Sequence, residues 1–206
     1  MKRYFDLLQP DTLYHVFSRA NGGEKLFKHA GNYSFFLQKM LQHTDPVVNV
    51  YAYSLLPNHF HFLIRIKSLP AIKAHYFVTK KKDLTDESLL SNFLMERFSN
   101  GLNAYAKAFN KMYDRKGSLF MDFLRRVEIK DNLQLMGTVF YIHKNPVHHG
   151  FCKQISDWPW SSYHLYGERT NTWVKTEEIL SICGGLEAFN EIHQQPIYLK
   201  NAVILE

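Results

Sequence analysis

The chain has 206 residues, 46% of them hydrophobic, which is enough apolar material for one real core and excludes a disordered or collagen-like chain. A formal net charge of +6, with eleven histidines outside that count, favours a polyanionic partner. Two cysteines without metal-type spacing argue against a disulfide scaffold. The lack of any apolar run near ~18 residues, or of a signal-peptide core at the start, points to the cytoplasm.

Residues 12–18 (TLYHVFS) are aromatic and β-branched and predict a strand, which Asn21-Gly22-Gly23 breaks. Residues 29–43 carry helical spacing, and Pro46 stops that helix. A second strand covers 47–55, Leu56-Pro57-Asn58 makes a tight connection, and 59–66 (HFHFLIRI) is a third strand. In it Phe60, Phe62, Ile64 and Ile66 share a face that should be buried, while His59, His61, Leu63 and Arg65 share the other.

Residues 68–88, with the run Lys80-Lys81-Lys82, read as a loop or extension. Residues 89–112 predict a long helix in which Gly101 is a blemish. Arg115-Lys116-Gly117 is a basic turn, and 123–129 is a short fourth strand. Asp131 then caps a helix that should end at Asn145, because Pro146 follows. The order β-α-β-β-α-β-α predicts an α+β fold with a ferredoxin-like split β-α-β antiparallel sheet, its first and third strands central. Beyond it lie the aromatic stretch 157–166 and a C-terminal tail that reads as two short helices about Gly184-Gly185 and a terminal apolar stretch. We divide the chain into a domain over 1–166 and an extension over 167–206.

Two segments about eighty residues apart carry chemistry. In a strand, His59 and His61 point to one face and can offer two imidazoles to one metal ion. In a helix, Tyr141 and Asn145 are neighbours, a phenol beside an amide oxygen. Asn145 is a candidate third ligand, and an oxygen ligand shifts preference from zinc toward Mg2+ or Mn2+. Tyr141 is then a candidate nucleophile. A free phenol titrates near ~10 and is a poor nucleophile at neutral pH, so something must favour the phenolate, and a nearby divalent cation can do that.

His59-Phe60-His61 after Pro57-Asn58, with Tyr141-Ile142-x-x-Asn145-Pro146-Val147 downstream, resembles the single-tyrosine transposases of the His-hydrophobic-His superfamily. Gly150-Phe151 and Asp157-Trp158-Pro159-Trp160-Ser161-Ser162-Tyr163, with Tyr14-His15-Val16, Arg19 and Asn21 near the start, resemble more narrowly its REP-associated tyrosine transposases. The resemblance spans about 12–166. It implies a metal-dependent endonuclease and strand transferase for single-stranded or hairpin DNA. Tyr141 is implied as nucleophile in a 5′-phosphotyrosine intermediate, and His59, His61 and Asn145 as metal ligands. The family's Trp-Gln and Arg-Phe cluster before the fourth strand is missing: the stretch here is Leu119-Phe120-Met121-Asp122-Phe123-Leu124-Arg125-Arg126.

For DNA contacts the candidates are Arg19 and Asn21, both by family match, with Arg65, Lys116, Arg125, Arg126 and Lys144 as phosphate-binding cations. His143, His148 and His149 flank the tyrosine and are open to either proton transfer or a solvent-facing role. Trp158 and Trp160 are expected to lock the tail onto the core, and a monomer is favoured over a homodimer. The rival readings are a hairpin-binding protein that does not cut, a replication initiator or relaxase, and, more distantly, a metal hydrolase of small molecules.

Overall fold

Alternating His and Phe over 59–66, flanked by two further aromatic and β-branched runs, extends into strands that pair on both sides. The computed structural model describes residues 5–121, 124–168 and 172–195. Its strands are β1 (Leu13–Arg19), β2 (Val48–Leu56), β3 (His59–Ile66) and β4 (Arg125–Ile129). Its helices are α1 (Ala30–Thr44), α2 (Leu69–Lys80), α3 (Leu90–Met112), α4 (Asn132–His148), α5 (Thr176–Cys183) and α6 (Leu186–Gln194). The sheet is antiparallel in the order β2-β3-β1-β4, so β1 and β3 are central, as the ferredoxin-like arrangement requires.

One face of the sheet packs on α1 and α3. Phe60, Phe62, Ile64 and Ile66 of β3 and Val16 of β1 are buried there with Phe36, Phe98 and Tyr105. Gly101 belongs to this crossing: a Cβ on it would lie 3.0 Å from Met40 Sδ and 3.4 Å from the Lys39 carbonyl oxygen. The glycine that weakens helix propensity is what lets α3 approach α1 closely.

The opposite face is also covered. Leu63, Ile129, Val139, Ile142, Tyr166, Ile179 and Phe189 form a second buried cluster under α4, α5 and α6. The extension after residue 166 therefore shares a core with the sheet. Tyr51 and Arg65 meet Glu178 of α5, the guanidinium bidentately at 2.5 and 3.1 Å and the phenol at 2.6 Å. The Trp158 indole N–H donates to the Leu55 carbonyl at 3.0 Å, and Trp160 stacks on Tyr33. Both tryptophans thus join the tail to the first core, as expected of them.

Two elements differ from the sequence reading. Residues 69–80 form a helix, α2, that buries Ile72 and Tyr76 and starts at Ser68 with proline in its first turn. Its apolar residues are spread around the helix, with Phe77 and Val78 exposed opposite Ile72 and Tyr76, so periodicity missed it, although Ser-x-Pro is a helix-start pattern. Helix α4 also runs past Asn145 to His148 with Pro146 inside it. Proline removes only its own N–H; His149 N–H reaches the Asn145 carbonyl at 3.0 Å and Phe151 N–H the Pro146 carbonyl at 2.9 Å. Gly150, at φ +71°, supplies the left-handed stop. The end of the tail predicted as an apolar stretch, 196–206, lies outside the described residues.

Candidate active site

The register of the sheet assembles the site. Phe17 of β1 pairs with His61 and with Arg125, and Arg19 pairs with His59. Pleating sends His15, Phe17, Arg19, His59, His61 and Arg125 to the same face. Asp131 caps α4 by accepting from the Gln134 N–H at 2.7 Å, and the helix carries Tyr141 and Asn145, one turn apart, onto this face. A cleft of about 240 Å³ results, lined among others by Arg19, His59, His61, Arg125, Tyr141 and Phe151. The four residues singled out in the two motifs do meet. The Tyr141 ring stands edge-on to His61 at 5.5 Å between centroids, and His59 lies 5.2 Å from His61. His59 Nε2 is 2.9 Å from Asn145 Oδ1.

Tyr141 and His61 are each 3% exposed, so they form the floor of the cleft. Burial pushes the His61 imidazole well below its ordinary value, with His15, His59 and His149 adding unfavourable charge. His15, wholly buried, has its Nε2 2.9 Å from His61 Nδ1 and is pushed by burial down to about 3. Of the three histidines flanking the tyrosine, His149 is exposed at the cleft with its ring 4.8 Å from that of His59, and His148 is exposed. His143 is buried away from the cleft. Its Nε2 is 2.8 Å from Ser162 Oγ and its Nδ1 3.0 Å from His193 Nε2.

The fit of a divalent cation can be judged from donor atoms. As placed, His59 Nδ1 faces Asn58 Oδ1 at 2.8 Å and Nε2 faces Asn145 Oδ1 at 2.9 Å. A neutral imidazole has one N–H, so it cannot donate to both oxygens. A lone pair of His59 facing the amide oxygen of Asn145 at 2.9 Å is the spacing of two neighbouring ligands on an octahedral ion with bonds near ~2.1 Å. Asn145 Nδ2 is buried without a hydrogen-bond partner among the described residues, so the amide is not otherwise committed on that side. Two imidazoles and one amide oxygen are a partial ligand set for a divalent cation; the amide oxygen suits Mg2+ or Mn2+, whereas imidazole suits zinc and other transition metals. Among the described residues no group of three or more His, Cys, Asp or Glu is arranged for a metal.

The predicted DNA-binding residues divide by place. Arg19 and Arg125 line the cleft; Arg19 Nε is 3.0 Å from Met121 Sδ, and Arg125 lies over the Phe17 ring. Asn21 and Lys116 are exposed outside the lining, and the Asn21 N–H donates to the Leu119 carbonyl at 2.9 Å. Arg65 is held by Glu178 on the far side of the β3 strand's length from His59. Arg126 donates to the Asp6 carbonyl at 2.6 Å and fastens the N-terminal segment to β4. Lys144 reaches the Gln195 carbonyl and lies over the Phe140 ring at 4.7 Å. A charge count along the sequence cannot separate these internal roles from cleft positions. Phe17, Asn58, Met121 and Phe151 also line the cleft. Phe17 was legible as two residues from Arg19 on one strand face; Met121 carries no such signal.

No protein-family model matches the chain. It is 29% identical over 116 residues to a curated Haemophilus influenzae protein whose name places it among the REP-associated tyrosine transposases. That alignment covers 55% of this chain and 57% of the relative, so the match spans little more than half of the relative's length. The fold is similar to the solved structure of a REP-associated tyrosine transposase bound to a REP hairpin. The TM-score is 0.55 at 19% identity, over 84% of this chain and 95% of that one. The resemblance read from the motifs is thus present in sequence and in fold.

Proposed function

We propose that the chain is an endonuclease and strand transferase for single-stranded DNA at hairpins or palindromes, with Tyr141 as its nucleophile. The observation that carries this reading is the meeting in one cleft of a phenol, two imidazoles and two guanidinium groups from four separate elements. The similar solved structure, a REP-associated tyrosine transposase bound to a REP hairpin, supports a hairpin as the substrate class.

In the step that follows, Tyr141 Oη forms a bond to a backbone phosphorus as the P–O3′ bond breaks. The phenolic proton is lost and the 3′ oxygen gains one. The product is a 5′-phosphotyrosine and a free 3′-hydroxyl, and attack by a 3′-hydroxyl reverses the exchange. One phosphodiester replaces another, so rejoining needs no nucleotide. Arg19 and Arg125 neutralise the phosphate at the cleft, and the exposed rings of His149 and Phe151 offer stacking surfaces for unpaired bases. Held by His59, His61 and Asn145, Mg2+ or Mn2+ would polarise the scissile phosphate and favour the phenolate. Because Tyr141 is 3% exposed, DNA must part the cleft's outer wall, where Met121, His149 and Phe151 are exposed. With α5 and α6 closing the second face within one chain, a monomer acting on DNA in the cytoplasm is the fitting form.

The test is a labelled hairpin oligonucleotide with a single-stranded flank, incubated with Mg2+ or Mn2+ and run on a denaturing gel. The wild-type protein should form a covalent adduct that chelator prevents. Tyr141→Phe should form none while still shifting the hairpin on a native gel. An adduct from the phenylalanine variant would overturn the nucleophile. Hairpin binding by the wild type without any adduct would favour the binding-only reading.

A further inference from the structure

The reaction scheme above makes no use of His15, the most completely buried histidine next to the cleft. It sits on β1 opposite Leu63, is 0% exposed, and its Nε2 is 2.9 Å from His61 Nδ1. Its ring lies 5.1 Å from that of His61, 5.0 Å from Phe17 and 5.9 Å from Tyr141. Nothing on the protein's surface reaches it. Burying an imidazole among aromatic rings is costly unless the contact it makes has a use.

The contact between the two rings has two proton arrangements. In one, His15 Nε2–H donates to His61 Nδ1, and His61 carries its proton on Nε2. In the other, His61 Nδ1–H donates to His15 Nε2, and the His61 Nε2 lone pair is bare. The Nδ1 side of His61 is occupied by His15, so Nε2 is the nitrogen left for the cleft that His61 lines. Only the second arrangement lets that nitrogen bind a cation. It moves the other proton to His15 Nδ1, which is buried without a hydrogen-bond partner among the described residues.

We propose that His15 is a positioning residue for His61: it accepts the Nδ1–H of His61, fixes the tautomer whose Nε2 faces the cleft, and so sets the affinity of the site for a divalent cation. This inference rests on the proposed metal role of His59, His61 and Asn145. Carboxylates and carbonyls usually fill this place behind a metal-bound histidine. A second imidazole does the same work only in the tautomer that carries its proton on Nδ1.

Two measurements test this on the full chain without relying on cleavage. The first is Mn2+ affinity by titration calorimetry or by the electron paramagnetic resonance signal of free Mn2+. His15→Phe keeps the bulk and removes the acceptor, and should weaken Mn2+ binding about 10- to 100-fold. His15→Gln offers an amide oxygen and should remain within about tenfold of wild type. Thermal melting of both variants registers any general loss of structure, which would lower the two affinities alike. The second measurement is the His61 tautomer, from long-range 1H–15N correlation spectra of the wild-type protein saturated with Mg2+. The proton should be on Nδ1. A proton on Nε2 in that state, or equal Mn2+ affinity in wild type and a folded His15→Phe, would overturn the role of His15 while leaving the metal site standing. Failure of the wild type to bind Mn2+ would overturn the metal site and this inference together.

Discussion

Lowering the pH below the ordinary histidine range should unfold this protein through its buried imidazoles. Four histidines, His15, His61, His143 and His193, are 0–3% exposed. Burial lowers all four, His15 to about 3 and His193 to about 4, with the other two well below their ordinary value. The sign follows from linkage. Folded, these rings stay neutral; unfolded, each takes a proton near its ordinary ~6.5. Their full stabilising effect is present above about pH 6.5 and is lost as the pH falls, levelling off for each ring only below its folded value. Each unit of pH below 6.5 costs about 1.4 kcal/mol per ring, so four rings approach about 5.5 kcal/mol per unit. Against a total stability of about 5–15 kcal/mol, metal-free protein should unfold between about pH 5.6 and 3.8. The assay is urea unfolding followed by tryptophan fluorescence and circular dichroism, in chelator, at half-unit steps from pH 7.5 to 4.5. A slope between pH 6 and 5 below about 1.4 kcal/mol per unit would mean that at most one imidazole is held neutral. The buried-histidine account would then be wrong.

Three further outcomes follow from where side chains sit. Arg19→Ala and Arg125→Ala should each weaken hairpin binding and flatten its salt dependence by about one phosphate's worth, whereas Arg65→Ala should lower stability and leave the salt slope unchanged; a binding titration at several salt concentrations separates them. Phe189→Ala should cost about 3–5 kcal/mol by chemical denaturation, because that ring is fully buried against Tyr166 and His193, and a smaller loss would place α6 outside the core. Gly101→Val should cost about 1–3 kcal/mol by the same measurement, since its branches would press on α1 at Met40 and Lys39.

The sheet and its order are legible in the sequence because each strand carries its own pattern. His-Phe alternation over 59–66 fixes a face, and the turn Pro57-Asn58 fixes the pairing with β2. The core site is legible for a similar reason: two strand residues at a spacing of two and two helix residues at a spacing of four each define a face on their own. What joins those faces is tertiary and cannot be read locally. The second face of β3 looks half-polar in sequence, yet Leu63 there is buried, because the tail's two helices return to cover it. The same return gives Arg65 and Lys144 internal partners, Glu178 and the Gln195 carbonyl, that no charge count along the sequence foresees. Pro146 predicts a helix end by its effect on the preceding residue, and the helix continues because the lost hydrogen bond is a single one.

Histidine shows most sharply what hydrogen-bond accounting adds to pattern. His143 flanks the candidate nucleophile in sequence and looks as much a candidate for proton transfer as His149. In the structure its contacts form a closed chain. His193 Nδ1–H donates to the Phe189 carbonyl at 2.7 Å, which makes His193 Nε2 an acceptor for His143 Nδ1–H and leaves His143 Nε2 to accept from the Ser162 hydroxyl. Ser162 Oγ in turn accepts from the Tyr53 N–H at 2.8 Å. Every nitrogen in that chain has one partner and one consistent role, so the network fastens α6 to α4 and to β2 and has no valence left for a substrate. His59 and His61 are the opposite case. His59 faces two amide oxygens that a neutral ring cannot both satisfy, and His61 spends one nitrogen on His15 and turns the other side of its ring to the cleft. A polar network that closes on itself is structure. His59 and His61 instead keep ring positions at the cleft, and that difference separates the two pairs of histidines.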